Sequence, residues 1–448
     1  MSAPQNNIWL HRYAVLTALV TLGLIGMGGL VTSHEAGMAV PDWPTSYGYN
    51  MFALPFKFWK GGTFYEHTHR LWASGVGLLT TILVLWLFGK NSRPLMRWAG
   101  LTLLVMGLAG EFLFPNRWQD GVFSGATGLV SYGASFFWPR CERAPKWLRW
   151  LGVAAFLGVV AQGILGGLRV TLHMDNLGIF HAALAQLFLV LLCAIALFTS
   201  KWWMERRTPV RRETQAGVQA LACSGGTLKR ELQHAVPEAG APMRWLFPAT
   251  TILIFLQLIL GATMRHQHAG LAIRDFPLAY GKLWPDMGAD AVARYNAQRI
   301  EVTEANPITA FQIGLQMAHR IMAMVILCAV GACAWKVRGW SSTFRLSRSN
   351  TLKRKLQPND KNAPRRGSVL QLWRLTLVWL GLILAQVGLG AWTIWSDKAA
   401  DVATLHVLVG ALSLVTGALL CIIIFCGHET KSGLATAFAA GSTAPKKI

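Results

Sequence analysis

Acidic residues are scarce in this chain, with 20 Asp and Glu against 42 Lys and Arg, and charge of either sign makes up only 14% of its 448 residues. A water-soluble class is excluded, because 53% of the residues are hydrophobic and the mean hydropathy is +0.39. Cysteine pairing is absent too: Cys141, Cys193, Cys223, Cys328, Cys333, Cys421 and Cys426 form no CxxC motif, which argues against a metal-thiolate centre and a disulfide framework. The net charge of +22 does not call for nucleic acid. Its basic residues gather in loops between apolar runs, which is how orientation is written into polytopic membrane proteins.

The apolar runs predict spans near 14–33, 70–89, 150–170, 179–199, 245–264, 311–335, 371–395 and 403–427. Two weaker runs, 98–114 with Glu111 and 122–138 rich in Gly and Ser, form either two further spans or a re-entrant pair. Lys and Arg crowd the loops after the second span, before the third strong one, and at 201–244 and 336–374. The alternate loops are poor in them, so both termini are predicted to be cytoplasmic. The start, MSAPQNNIWLHRYAV, reads as a retained first helix and not as a cleaved signal or mitochondrial presequence.

The chain repeats itself. HEAGMAVPDWPTSYG from His34 matches QHAGLAIRDFPLAYG from Gln267; EHTHRLWA from Glu66 matches QMAHRIMA from Gln316; AQGILGG from Ala161 matches AQVGLGA from Ala385. A tandem duplication of a four-helix unit follows, giving an all-α membrane protein of two pseudo-symmetric bundles. The predicted halves are 1–200, with the insert 98–138, and 245–428, joined by a basic linker 201–244 and followed by a polar tail 429–448. Glycine clusters recur at GMGGL from Gly26, GILGG from Gly163, ILGAT from Ile259 and GLGAW from Gly388. Close helix packing is the preferred reading of them, and a flat macrocycle lying there is compatible with the same residues.

His69 and His181 in the first half, and His319 and His406 in the second, fall at corresponding depths of inward-running helices. Paired imidazoles on facing helices of a bundle suit a heme iron, whereas zinc would recruit further ligands. Glu66 precedes His69 by one turn, and its counterpart is Gln316. The half with the carboxylate is therefore the predicted reaction site and the other half a permanent cofactor site. The duller alternative is that Glu66 only pairs with Arg70 at i, i+4. Arg70 and Arg320 are candidates to bind heme propionates, Arg70 on the substrate and Arg320 on the cofactor, or to pair with Asp42 and Asp275. His34, His67, His173, His266 and His268 are expected to be solvated. Tyr47 and Tyr280 are expected to cap the bundles.

These motifs resemble the heme A synthase family of membrane enzymes. The EHTHR block, the PDWPTSYG loop and the histidines opening the even-numbered core helices carry the resemblance, which leaves out the insert and the polar tails. It implies that His69 and His181 face or ligate substrate heme O, that His319 and His406 hold a heme b, and that Glu66 is the essential acid. Oxidation of one pyrrole methyl to formyl is the implied reaction, with oxygen from water and electrons passing to an unidentified acceptor. The heme O-producing farnesyltransferase is the implied partner, and a bacterial plasma membrane the implied location. Some family members carry a cysteine pair in the first outer loop, which this chain lacks between His34 and Glu66. A diheme b-type cytochrome that only transfers electrons is the alternative. A transporter with repeated halves fits less well, since such repeats are commonly inverted.

Overall fold

The computed structural model describes residues 7–113, 118–139, 143–207, 242–298, 307–346 and 366–440. Most of the expected linker, much of the basic loop after the sixth span and the end of the tail lie outside the described residues. Two compact units divide the chain, Met1–Met204 and Glu205–Ile448. Among the described residues the regular structure is helical apart from two isolated β-bridges. Eight helical stretches are long and apolar enough to cross a bilayer, α2 and α3 counting as one run.

The first unit contains α1 (Ile8–Ser33), α2 (Gly61–Phe88), α3 (Ser92–Leu113), α4 (Trp118–Phe137), α5 (Lys146–Thr171) and α6 (Leu177–Thr199), and its boundary falls within the short α7 (Lys201–Arg207). Asn7 caps α1, its Oδ1 accepting from Trp9 N and Leu10 N at 3.1 Å. Gly89 ends α2 with φ +59°, a value that glycine reaches without steric cost. Helices α1 and α5 each pack on both α2 and α6, so the four close a ring in the order α1, α2, α5, α6.

The second unit repeats that ring with α8 (Pro242–His266), α10 (Ala310–Leu346), α11 (Arg366–Trp395) and α12 (Ala400–Ala440). The short α9 (Ala289–Ala297) lies in its long loop. In each ring the histidine-bearing helices, α2 and α6 or α10 and α12, occupy one diagonal. Hydroxyls within the helices, such as Thr17, Thr81, Thr376 and Ser413, donate to the carbonyl four residues back, which satisfies them without water.

Large apolar side chains fill the end of each bundle remote from the histidines. In the first unit these are Leu83, Leu87, Leu189, Leu192 and Ile195, all 2% exposed or less. In the second, Phe247 stacks on Trp379, whose indole donates to Ser413 O at 2.9 Å.

The insert forms two helices of 22 and 20 residues, each about 30 Å long. They pack mainly on each other. A Cβ on Gly107 would stand 2.5 Å from Gly125 N, and one on Gly128 would stand 2.5 Å from Gly100 O, so only glycine allows this approach. Asn50 Nδ2 donates to Asp120 Oδ1 at 2.7 Å, which ties the pair to the bundle loop.

Candidate functional site

The repeated loops close the histidine end of each bundle in the same way. Asp42 accepts from Thr45 Oγ1 at 2.5 Å, Tyr47 N at 2.6 Å and Gly48 N at 2.8 Å. Asp275 accepts from Tyr280 N at 2.8 Å and Gly281 N at 2.9 Å. Tyr47 and Tyr280 both adopt φ +53°, an uncommon conformation for a bulky residue, and their hydroxyls donate to Ala39 O and Ala272 O. Burial alone would raise the Asp42 pKa. The bonds from Thr45, Gly48 and Tyr47, with the charge of Arg70, bring it below the usual carboxylate value.

Glu66 and Gln316 hold these loops from beneath. Glu66 is 4% exposed; its Oε2 accepts from Val40 N at 2.8 Å and its Oε1 from Arg70 Nη2 at 2.6 Å. Gln316 Oε1 accepts from Ile273 N at 2.6 Å, and its amide donates to Ile273 O at 3.1 Å and Gly270 O at 3.2 Å. Val40 and Ile273 are the same position of the repeat. The i, i+4 pairing offered as the duller reading of Glu66 is therefore present, beside a loop bond that its amide counterpart also makes.

The guanidiniums go to main-chain carbonyls. Arg70 donates to Asp42 O at 2.7 Å, Thr45 O at 3.1 Å and Val40 O at 3.1 Å. Arg320 donates to Leu278 O and Asp275 O at 2.8 Å and to Ile273 O at 3.4 Å. Each arginine thus pins its loop to the histidine helix.

The four histidines sit on glycine. A Cβ on Gly28 of α1 would stand 3.2 Å from His69 Cε1, one on Gly166 of α5 3.4 Å from His181 Cε1, one on Gly261 of α8 3.2 Å from His319 Cε1, and one on Gly390 of α11 3.3 Å from His406 Cε1. At these positions the missing side chain makes room for an imidazole rather than for a neighbouring backbone, which corrects the packing reading of the glycine clusters. Gly163 and Gly388, in the same clusters, face open space. One turn before three of the seats stands a glutamine whose role the sequence did not reveal. Gln162 donates to His181 O at 3.0 Å and Gln257 to His319 O at 2.9 Å, while the Gln386 amide lies 3.4 Å from His406 Nε2.

His319 and His406 face each other with ring centres 6.5 Å apart and planes inclined at 55°. A metal–imidazole bond of about 2.0 Å on each side plus a ring radius of about 1.2 Å puts two rings sharing one metal about 6.4 Å apart. His69 and His181 lie within electrostatic reach of each other. Among the described residues no group of three or more His, Cys, Asp or Glu converges. The histidine pair of each half is by itself too few donors for a bare metal ion.

His67 departs from expectation. It is completely buried, edge-on to Trp59 at 4.7 Å between ring centres, and neither ring nitrogen has a hydrogen-bond partner. Helix α2 starts at Gly61, which puts His67 in its second turn, against Trp59 of the preceding loop. His34, His173 and His268 are exposed as expected, and His34 stacks on Tyr65 at 4.1 Å.

Two four-helix bundles, each with a pair of histidines near one end, define a class of multi-pass helical membrane protein. The chain belongs to the COX15-CtaA family, cytochrome oxidase assembly proteins, whose model matches residues 11–113 and 111–353. A heme A synthase of Hyphomonas neptunium (strain ATCC 15444) is 24% identical to it over 343 residues, covering 74% of this chain and 77% of that protein.

Proposed function

We propose that the chain is a heme A synthase, oxidising the pyrrole methyl of heme O to a formyl group in the first bundle and holding a heme b between His319 and His406 in the second. The observation that carries this reading is the 6.5 Å separation of the His319 and His406 rings, which matches two imidazoles on one iron. The glycine seats, the buried Nδ1 atoms of His69, His319 and His406 without partners, and the apolar bundle interiors fit the same group. Heme b bound there would supply a one-electron carrier.

Within the chain, His69 and His181 bind and orient the substrate on the diagonal of the first bundle. The packed remote end excludes water from one side. Turning the methyl into a formyl group breaks two of its C–H bonds, takes the oxygen of one water and releases four protons and four electrons, the electrons passing to an acceptor. Glu66, on the same face of α2 as His69, takes up protons so released, and Gln316 is unable to do so. Following the basic loops, the histidine ends face away from the cytoplasm and both termini lie inside, in a bacterial plasma membrane, with the heme O-forming farnesyltransferase as the supplier of substrate.

A second reading is favoured by the shared strut geometry of Glu66 and Gln316: a diheme b-type cytochrome that only transfers electrons. Expression with a heme O source separates the two readings. Active membranes whose extracted hemes contain the formyl product by mass are expected, and membranes that carry heme b yet never accumulate it would leave the cytochrome.

A further inference from the structure

Arg169 stands in the last turn of α5, one turn beyond Gly166, the seat of His181. Its guanidinium lies against Gly37 of the first loop, where a Cβ would stand 2.6 Å from Nη1 and 2.8 Å from Nη2. Its side chain is 17% exposed, and its one ion-pair partner, Asp175, meets Nη2 at 3.1 Å and is 51% exposed. Its Nε is buried with no hydrogen-bond partner. Its charge lies within electrostatic reach of His69, on the neighbouring α2. Arg70, by contrast, is taken up by three loop carbonyls and Glu66.

The second half also puts a cationic side chain over the matching glycine. There Lys398 Cδ would be 3.3 Å from a Cβ on Gly270. A buried guanidinium N–H with no acceptor, in a group whose charge reaches His69, asks for a carboxylate from the ligand, and a guanidinium binds one through paired bonds.

We infer that Arg169 anchors a propionate carboxylate of the tetrapyrrole in the first bundle, with Gly37 keeping the guanidinium's place. This rests on the heme reading proposed above. The test uses full-length protein purified in detergent with its heme b in place, titrated with hemin and with hemin dimethyl ester and followed by absorbance. Wild type is expected to bind the free acid at least about 10-fold more tightly than the ester. Arg169→Gln is expected to bring that ratio near one while leaving ester affinity unchanged, and Gly37→Ala to reduce the ratio without altering any charge. Asp175→Asn should keep the preference, because the exposed partner is not the anchor's target. Where the Gln variant does not fold, Arg169→Lys is expected to fold and to weaken the preference several-fold, since the charge stays and the fork is lost. A wild-type preference in Arg169→Gln or Arg169→Lys, or an equal loss of both ligands, overturns the anchor and leaves the heme reading standing. Uptake of hemin and ester with equal affinity by wild type does the same. Wild-type protein that takes up no heme of either kind overturns both.

Discussion

An imidazole inside an apolar bundle needs space as well as a partner, and here glycine provides it. At Gly261 an added Cβ would crowd His319 Cε1 at 3.2 Å, a gap that a methyl group closes by a few tenths of an ångström and a leucine side chain does not. Gly261→Leu is therefore expected to cut heme b absorbance in the reduced spectrum to less than about a tenth, since overpacking on this scale displaces the ring. Gly388→Ala, which meets open space, should leave the spectrum alone. The matching of the histidine positions between the halves was legible, because the same blocks recur in the same order in both. The glycine seats were noticed and misread, since a residue with no side chain does not announce what it faces. The partners of Arg70 and Arg320 were hidden for a different reason: they are main-chain carbonyls, which every residue has and no sequence marks.

The loops and the insert behave as separate elements. In the first loop the Asp42 carboxyl titrates below the ordinary value of about 3.9, so its contribution to loop stability is fully present above that pH. It is lost as the pH falls through the depressed value. Trp43 fluorescence is expected to report loop opening only below the ordinary carboxylate range, and Asp42→Asn to remove the pH step; a wild-type loop indifferent to acid would contradict the arrangement. The insert pair depends on glycine contacts at 107 and 128. Gly107→Leu with Gly128→Leu should destabilise the pair by about 1–3 kcal/mol per site, seen as faster proteolysis within the insert, with heme b retained. The existence of both insert helices was readable from their apolar runs, whereas their mutual packing was not. The burial of His67 was not legible, because it depends on Trp59 of the preceding loop packing against the second turn of α2.

At the scale of the whole molecule the halves share one ring of helices and one loop, and differ by a carboxylate against an amide. Gln316 demonstrates that an amide at this position supports the loop bond. Glu66→Gln is therefore expected to fold, to keep its heme b spectrum, and to lose turnover by about 100-fold or more, measured as formyl heme extracted from membranes. Retention of full activity would leave Glu66 as a strut and the two halves alike in chemistry. The duplication was legible because the matched blocks keep their order and change offset only where loops differ in length. The pairing of helices into rings required the coordinates, since apolar periodicity in a membrane does not say which neighbour a helix chooses.

Each bundle is dense at its foot, where Leu83, Leu87, Phe247 and Trp379 are buried, and sparse at its mouth, where small residues line the imidazoles. Stiffness therefore differs along a single helix. A broad planar guest can be admitted by splaying the mouth a little while the foot stays clamped, so loading and release need no dismantling of the fold, and amide exchange should be slowest where the guest never reaches.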